Sequence, residues 1–551
     1  MTAPLDYENV YREFSWDTCM SEYLDWPKHG YFNITHEAID RHAEDPKKVA
    51  VFYISPEGRR EKYTFRDMMH LTSRHANMLR KLGVEKGDCV ARMLPRCIEN
   101  YVTFLGNWKA GAVDIPVFTA YGPEALAYRA KNANVRVLFT DAENRPKVDK
   151  IPGGLPGVKI VVVAGPKGEG LQDGDYNYWE ELSAVSREFD TEKMRPEDLV
   201  LVHYTSGTTG TPKGAMVNQK GALYMIPYSM YSLDLKKDDM FWGFADPGWS
   251  YALFTVGTSV LIAGGSLLVY GGRMDAENWY KIMDEYEVTN FAAAPTLYRM
   301  IMAAGDALAD SYKGKVKAWR YTSAGEYLDP KVTVWFQERF GVSISDQYGL
   351  TEIGMVLGNY PFMPAKPGSM GRPMPGFHVR VADPAGNEVP QGETGIIMVE
   401  KNDFFLGSDY LNEHEKWQGC FVNEKWYNTG DMAAIDEGGY FFYRGRNDDV
   451  ISSSGYRIGP AEVEAAVMKH PSVAEVAAVG KPDPLRTEIV MAFVVLKADH
   501  EPSRRLVEEI QKQVKGTYAA HLYPREIEFV SGLPKTESGK IMRRELRKRF
   551  K

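Results

Sequence analysis

At 551 residues, with 44% apolar and 25% charged side chains, the chain has the make-up of an ordinary globular protein of several folding units. The formal charge of -8 excludes a nucleic-acid footprint over the whole molecule. Four scattered cysteines, Cys19, Cys89, Cys97 and Cys420, form no C-x-x-C pair, which excludes a disulfide framework or a Cys-rich zinc site and fits a reducing compartment.

The residues from Met1 to Glu8 show no basic region followed by an apolar stretch, so a cytoplasmic location is expected. Thr64 is placed to cap a helix whose apolar positions Phe65, Met68, Met69, Ala76 and Leu79 follow helical spacing, with Gly83 as its stop. Cys89 to Leu94 reads as a strand, Ile98 to Ala110 as a helix, and Val135 to Phe139 and Lys159 to Val163 as buried strands. Strands separated by helical stretches predict crossover units and a mostly parallel sheet, and the same rhythm returns between Val288 and Tyr348. Pro247 to Gly272 carries no charge and is long enough for a membrane span. Gly264-Gly265 and several hydroxyls interrupt it, so a buried helix, a turn and a strand (Ser266 to Tyr270) are expected instead, with no membrane span.

From Gly371 to Tyr443 short, Gly-punctuated strands such as Gly395 to Val399 predict a β-rich subdomain. Beyond Arg446-Asn447-Asp448-Asp449 come a helix from Pro460 to His470 and two strands, Val473 to Val479 and Ile489 to Leu496. A helix from Leu506 to Lys515 and a strand from Glu526 to Val530 complete an α+β unit of about 100 residues. The fold is thus read as α/β: a large N-terminal domain over 1–447, of parallel sheets plus the β-rich subdomain, and a small α+β domain over 448–551. Lys540 to Lys551 hold seven basic side chains. A cationic helix end with Ile541, Leu546 and Phe550 turned inward is expected there, not a nucleic-acid tail.

The most informative stretch is Leu199-Val200-Leu201-Val202-His203-Tyr204-Thr205-Ser206-Gly207-Thr208-Thr209-Gly210-Thr211-Pro212-Lys213-Gly214. An apolar strand runs into glycines that let backbone N–H groups turn toward an anion, hydroxyls that add donors, and one mobile lysine. Such a loop suits a polyphosphate. The Walker spacing G-x-x-x-x-G-K-[ST] fails, because Pro212 precedes the lysine.

Tyr204 to Gly214 resembles the signature loop of the adenylate-forming enzymes, the superfamily of acyl-CoA synthetases, nonribosomal adenylation domains and luciferase. Four further motifs follow in the family's order: Asp346-Gln347-Tyr348-Gly349-Leu350-Thr351-Glu352, Tyr427-Asn428-Thr429-Gly430-Asp431, Tyr443 to Asp449, and Pro534-Lys535-Thr536-Glu537-Ser538-Gly539-Lys540. The pattern is closest to the medium-chain acyl-CoA synthetases. The resemblance implies an AMP-forming ligase in which a carboxylate attacks the α-phosphate of ATP and coenzyme A then attacks the acyl-adenylate. A carboxylate is already ionised at neutral pH, so the first step needs positioned cations and not a general base.

The resemblance also assigns roles. The loop from Thr205 to Lys213 should hold the β- and γ-phosphates, Glu352 should bind Mg²⁺, and Thr351 should stand beside the α-phosphate, with Asp346, Gln347, Gly349 and Leu350 in the same nucleotide-binding stretch. Tyr348 should stack on adenine and Gly325-Glu326-Tyr327 should line its edge. Asp431 should accept from the ribose hydroxyls, with Arg446 beside it. Lys540 should act on the α-phosphate during adenylation and then leave as the small domain turns about a hinge at Asp448, bringing Ser454, Gly455 and Arg457 to the adenylate; Lys515 is a further candidate contact for coenzyme A. Acetate-activating members place Trp where this chain has Gly349, so a roomier acyl pocket is expected, bordered also by Ala324 and Trp249. Short- to medium-chain, branched or cyclic acids are the expected substrates. An acetate–CoA ligase, an adenylation enzyme loading a carrier protein, and a non-catalytic paralogue are the alternatives.

Overall fold

The computed structural model describes residues 6–205, 212–326, 328–447, 449, 451–453, 456–483, 487–517, 523–536 and 539–550. The chain divides into two compact units. One comprises Met1–Pro367, Pro373–Phe377 and Lys401–Gly419; the other comprises Gly368–Arg372, His378–Glu400 and Cys420–Lys551.

In the first unit one sheet runs in the order Gly407–Tyr410, Lys213–Asn218, Leu199–Thr205, Val113–Pro116, Cys89–Met93, Val137–Asp141, Lys159–Val163, Tyr176–Asn177. From Leu199–Thr205 onward its pairings are parallel, whereas Lys213–Asn218 and Gly407–Tyr410 add on antiparallel. Parallel strands need crossovers, which the helices Phe65–Lys81, Ile98–Lys109 and Pro123–Asn132 help to provide. The first of these starts at a reciprocal cap: the Asp67 N–H donates to Thr64 Oγ1 (3.1 Å) and the Thr64 N–H to Asp67 Oδ2 (2.9 Å). The second sheet has a parallel core of Ile344–Leu350, Arg320–Ser323, Asn290–Ala293, Met240–Phe244, Ser266–Tyr270 and Val49–Ile54.

The uncharged segment is a buried helical stretch, Tyr251–Thr258 continuing into Ser259–Ile262, a turn at Gly264 (φ 75°) and the strand Ser266–Tyr270. Its first part is wound as a π-helix. Within it Thr258 Oγ1 and Ser259 Oγ donate to Leu253 O (2.7 Å) and Thr255 O (2.5 Å), so the buried hydroxyls are satisfied by the helix itself. Among the described residues no helix is long and apolar enough to cross a membrane.

In the second unit the strands Val379–Ala382, Gly395–Glu400, Phe421–Val422, Trp426–Ile435 and Phe441–Arg446 form an antiparallel sheet. A further sheet joins Ile451–Ser453, Tyr456–Ile458, Val473–Asp483, Thr487–Leu496 and Glu526–Phe529. Successive side chains of its long strands point to opposite faces. Val476 and Ala478 accordingly pack with Val463, Val467, Ile510 and Val514 of the helices Pro460–Met468 and Arg504–Thr517, while Ala477 and Val479 pack with Leu533 and Leu546. The basic terminus is tied to carboxylates: Arg543 to Glu464 (2.8 Å), Arg547 to Asp449 (2.6 Å) and Arg549 to Glu528 (2.6 Å). The β-rich segment groups with the C-terminal residues, whereas the sequence reading attached it to 1–447. Its strands are hydrogen-bonded among themselves, and strand pairing is invisible to composition.

Candidate active site

In the first unit the candidate residues lie at the carboxyl ends of parallel strands, the usual ligand position in open α/β sheets. Leu199–Thr205 delivers Thr205, Arg320–Ser323 leads to Ala324, Met240–Phe244 leads to the loop Asp246–Ser250, and Ile344–Leu350 leads to Thr351 and Glu352. The phosphate loop closes a β-hairpin in which Thr205 pairs directly with Lys213. Residues 206–211, expected to hold the phosphates, lie outside the described residues; at the loop's end Tyr128 OH donates to Pro212 O (3.0 Å).

Glu352 is buried, at 9% exposure. Its Oε1 accepts from Thr205 Oγ1 (3.2 Å) and from Tyr410 OH (2.9 Å), and Lys213 Nζ stands 4.9 Å from the Tyr410 ring centroid. No cation pairs with Glu352 among the described residues, although burying a lone carboxylate is costly. Such a donor set fits Mg²⁺, which is commonly held through one or two carboxylates and the substrate's phosphates instead of an all-protein cage. No group of three His, Cys, Asp or Glu suited to a metal occurs among the described residues. Thr351 Oγ1 lies 3.2 Å from Ser250 Oγ, which couples the second signature to the loop carrying Trp249.

Tyr348 and Ala324 are both buried. Gln347 is held by Tyr228 OH and by its own donation to Ser232 Oγ (2.7 Å). Asp346 is buried and its carboxyl is pushed well above the usual carboxylate range by desolvation. Gly325 has φ 92°, and a Cβ there would meet nothing within 4 Å. The Glu326 carboxylate is committed to Arg299 (2.9 Å) and Thr296 (2.8 Å), which leaves backbone to face a ligand; Tyr327 lies outside the described residues.

Gly349 corrects the sequence argument. The sequence argument takes this glycine as space for an acyl chain. An ideal Cβ would instead stand 2.2 Å from Gly354 O and 2.7 Å from Met355 Cα, where the strand Gly354–Gly358 folds back on Ile344–Leu350 with a register shift between Tyr348 and Gly349. The glycine is required by the close approach of the two backbones. Leu350 ends that strand, half-buried.

In the second unit Asp431 is buried and sits opposite Arg446 in the sheet. Its Oδ1 receives Arg446 Nη1 (3.3 Å) and Tyr443 OH (3.4 Å). Lys540 is exposed and has no carboxylate partner among the described residues. Lys515 is exposed near the end of Arg504–Thr517, 5.5 Å from the Tyr523 ring centroid. Asp448, Ser454 and Gly455 lie outside the described residues; Arg457 belongs to the short strand Tyr456–Ile458.

Sequence reasoning missed Tyr410, whose four-residue strand Gly407–Tyr410 is too short to show alternation. It also missed Arg92 and Asp114. Their signal was available: each is a charge inside an apolar run, Cys89 to Leu94 and Ala112 to Val117.

Comparison with known proteins gives the family. Residues 39–408 match the family described as AMP-binding enzyme, and residues 462–540 match the AMP-binding enzyme C-terminal domain. The chain is 41% identical to acetyl-coenzyme A synthetase of Bacillus subtilis over 98% of its own length and 94% of that protein's. The crystal structure of Brucella canis acyl-CoA synthetase superposes with a TM-score of 0.78 at 37% identity, covering 99% of both chains. An anthranilate CoA ligase crystallised with anthranoyl-AMP gives a TM-score of 0.85 at 29% identity, covering 94% of this chain and 97% of that one. The chain belongs to the AMP-binding enzyme family, within the adenylate-forming superfamily, and is an AMP-forming acyl-CoA synthetase.

Proposed function

We propose that the protein joins a small or medium-sized carboxylic acid to coenzyme A through an acyl-adenylate, with the buried Glu352 and Tyr410 and the half-buried Thr205 and Lys213 as its phosphate and metal centre. Members of this class use ATP, Mg²⁺ and coenzyme A. The substrate carboxylate attacks the α-phosphorus, pyrophosphate leaves, the thiol of coenzyme A then attacks the acyl carbonyl, and AMP leaves. Mg²⁺, when bound, supplies positive charge between the phosphate oxygens, and Glu352 would hold it. Thr205 and Lys213 offer a hydroxyl and an ammonium from the two ends of the phosphate hairpin, where negative oxygens converge. Burial raises the Asp346 carboxyl above the usual carboxylate range, and its Oδ1 accepts from the Gln347 N–H (3.1 Å). Tyr348, Gly325 and Glu326 border the purine in this reading. Asp431 and Arg446 hold the ribose, and Lys540 reaches the reacting carboxylate and α-phosphate on a domain that turns near Asp448. Ser454, Gly455, Arg457 and Lys515 then serve coenzyme A.

The observation that carries the reading is a buried carboxylate with hydroxyl donors and, among the described residues, no cation partner, placed beside the phosphate hairpin. The test is release of AMP and pyrophosphate from ATP with Mg²⁺ and coenzyme A across acetate, butyrate, 2-methylbutyrate and benzoate. AMP and thioester formed together with one or more of these acids are expected. ADP in place of AMP, or no turnover with any acid, would overturn the reading. A second reading, acetate itself, is favoured by the 41% identity to an acetyl-coenzyme A synthetase, and the same panel decides it.

A further inference from the structure

We propose that Arg92 is a positioning residue that fixes the loop carrying Trp249, and so sets the shape of the acyl end of the site. The proposal rests on the reading above in one respect, that Trp249 borders the acyl group.

Arg92 lies in the strand Cys89–Met93 and is 1% exposed. Its Nε lies 3.0 Å from both oxygens of the fully buried Asp114 on the next strand. Its Nη1 donates to Asn100 Oδ1 (2.6 Å) and to the carbonyl of Pro247 (3.1 Å), 155 residues away in sequence. The partners are themselves held. Asn107 Nδ2 donates to Asp114 Oδ1 (2.9 Å), and His75 Nε2 lies 3.0 Å from Asn107 Oδ1. Asn100 Nδ2 donates to the carbonyls of Leu94 and Pro95 (2.7 and 2.9 Å). A planar guanidinium serves an acid, an amide and a backbone carbonyl at once, which a lysine's single ammonium cannot reproduce.

The same pair of strands grips the loop a second time. Beyond Val113–Pro116 the chain reaches Phe118, whose ring fills the place of a Gly248 side chain: an ideal Cβ would stand 2.9 Å from its Cγ. Phe118 also meets Trp249 edge-on, with centroids 6.1 Å apart. At its far end the loop touches Thr351 through Ser250. The loop is therefore fixed on one side to a buried ion pair and on the other to the nucleotide signature. A buried charge pair of this kind is weak evidence for stability, so a positional role gives it a reason.

The experiment compares Arg92→Lys, Trp249→Ala and the double variant by steady-state kinetics and melting temperature. Arg92→Lys keeps a charge beside Asp114 and loses the reach to Pro247. A rise of about ten-fold in the KM for the acid with the KM for ATP held within about two-fold is expected, because small displacements of positioning groups cost that much. A merely structural role would lower melting temperature and the active fraction and leave both KM values unchanged, and that result overturns the proposal. In the Trp249→Ala background Arg92→Lys should add less than about two-fold, since coupled residues are not additive. A full independent effect there overturns it also. If Trp249→Ala alone leaves the acid KM unchanged, the reading of the acyl site fails and not the anchoring of the loop. Should Arg92→Lys fail to fold, Arg92→Met combined with Asp114→Leu removes both buried charges and is read by the same KM comparison.

Discussion

His203 stands two residues before the phosphate loop, fully buried, and neither of its ring nitrogens has a hydrogen-bond partner among the described residues. Burial lowers its pKa to about 3, and that of His75, on the helix Phe65–Lys81, to about 4, against 6.5 for a free imidazole. Both are therefore neutral in the folded protein at pH 7. As pH falls below 6.5 the unfolded chain takes up protons that the folded one refuses, so their contribution to stability is complete above 6.5 and is lost on the way down to about 4 for His75 and about 3 for His203. The loss is about 1.4 kcal/mol per pH unit for each histidine. His203→Leu should remove one histidine's share of that slope and raise stability at pH 7 by about 1–3 kcal/mol, the cost of an unsatisfied buried polar group. Urea denaturation midpoints from pH 7 to pH 4 provide the check, and lower stability at pH 7 would show that His203 has a partner. The residues of the site were unevenly legible. Glu352, Lys213 and Asp431 stand in motifs whose residue types match their chemistry. Tyr410 and Ser250 carry no such pattern, because their roles come from strand pairing and a loop contact that bring distant segments together.

The elements were more legible than their edges. The helix Phe65–Lys81 begins at the predicted cap, and Lys159–Val163 is a strand over the predicted residues. Local chemistry settles both, a capping box in one case and an unbroken apolar run in the other. The strands Lys213–Asn218 and Gly407–Tyr410 could not be read in this way, since each is defined by its neighbour in the sheet. Nor could the direction of Gly349, which depends on how Gly354–Gly358 returns. Gly349→Ala should force that hairpin apart, because the added carbon meets backbone that cannot rotate away. The strain should cost about 1–3 kcal/mol of stability. Activity should fall as well, because Tyr348 and Thr351 flank the site of displacement. Calorimetry and kcat/KM on the best acid would test this, and an unaltered melting temperature would mean that the two strands have room to spare.

Across the whole molecule, the polypeptide passes between the two compact units at 367/368, 372/373, 377/378, 400/401 and 419/420. The stretch 446–451 joins the sheet containing Phe441–Arg446 to the last hundred or so residues, which have a sheet and core of their own, and the proposed movement of Lys540 would take place there. Lys540→Ala should slow adenylation by about a hundred-fold or more, as loss of a charge at a reacting oxygen does, and leave thioester formation from preformed acyl-adenylate within about three-fold. Equal losses in the two half-reactions would remove the turning domain from the mechanism. The late return of Gly407–Tyr410 to the first sheet also bears on biosynthesis. On the ribosome, Lys213–Asn218 emerges with one edge unpaired and stays so until about 190 further residues have been made, some 10–40 s at ordinary rates of elongation. Throughout that interval the hairpin presents an open strand to any other chain nearby, and the strand that closes it brings Tyr410, so the nascent protein loses its sticky edge and gains the hydroxyl that donates to Glu352 in the same event.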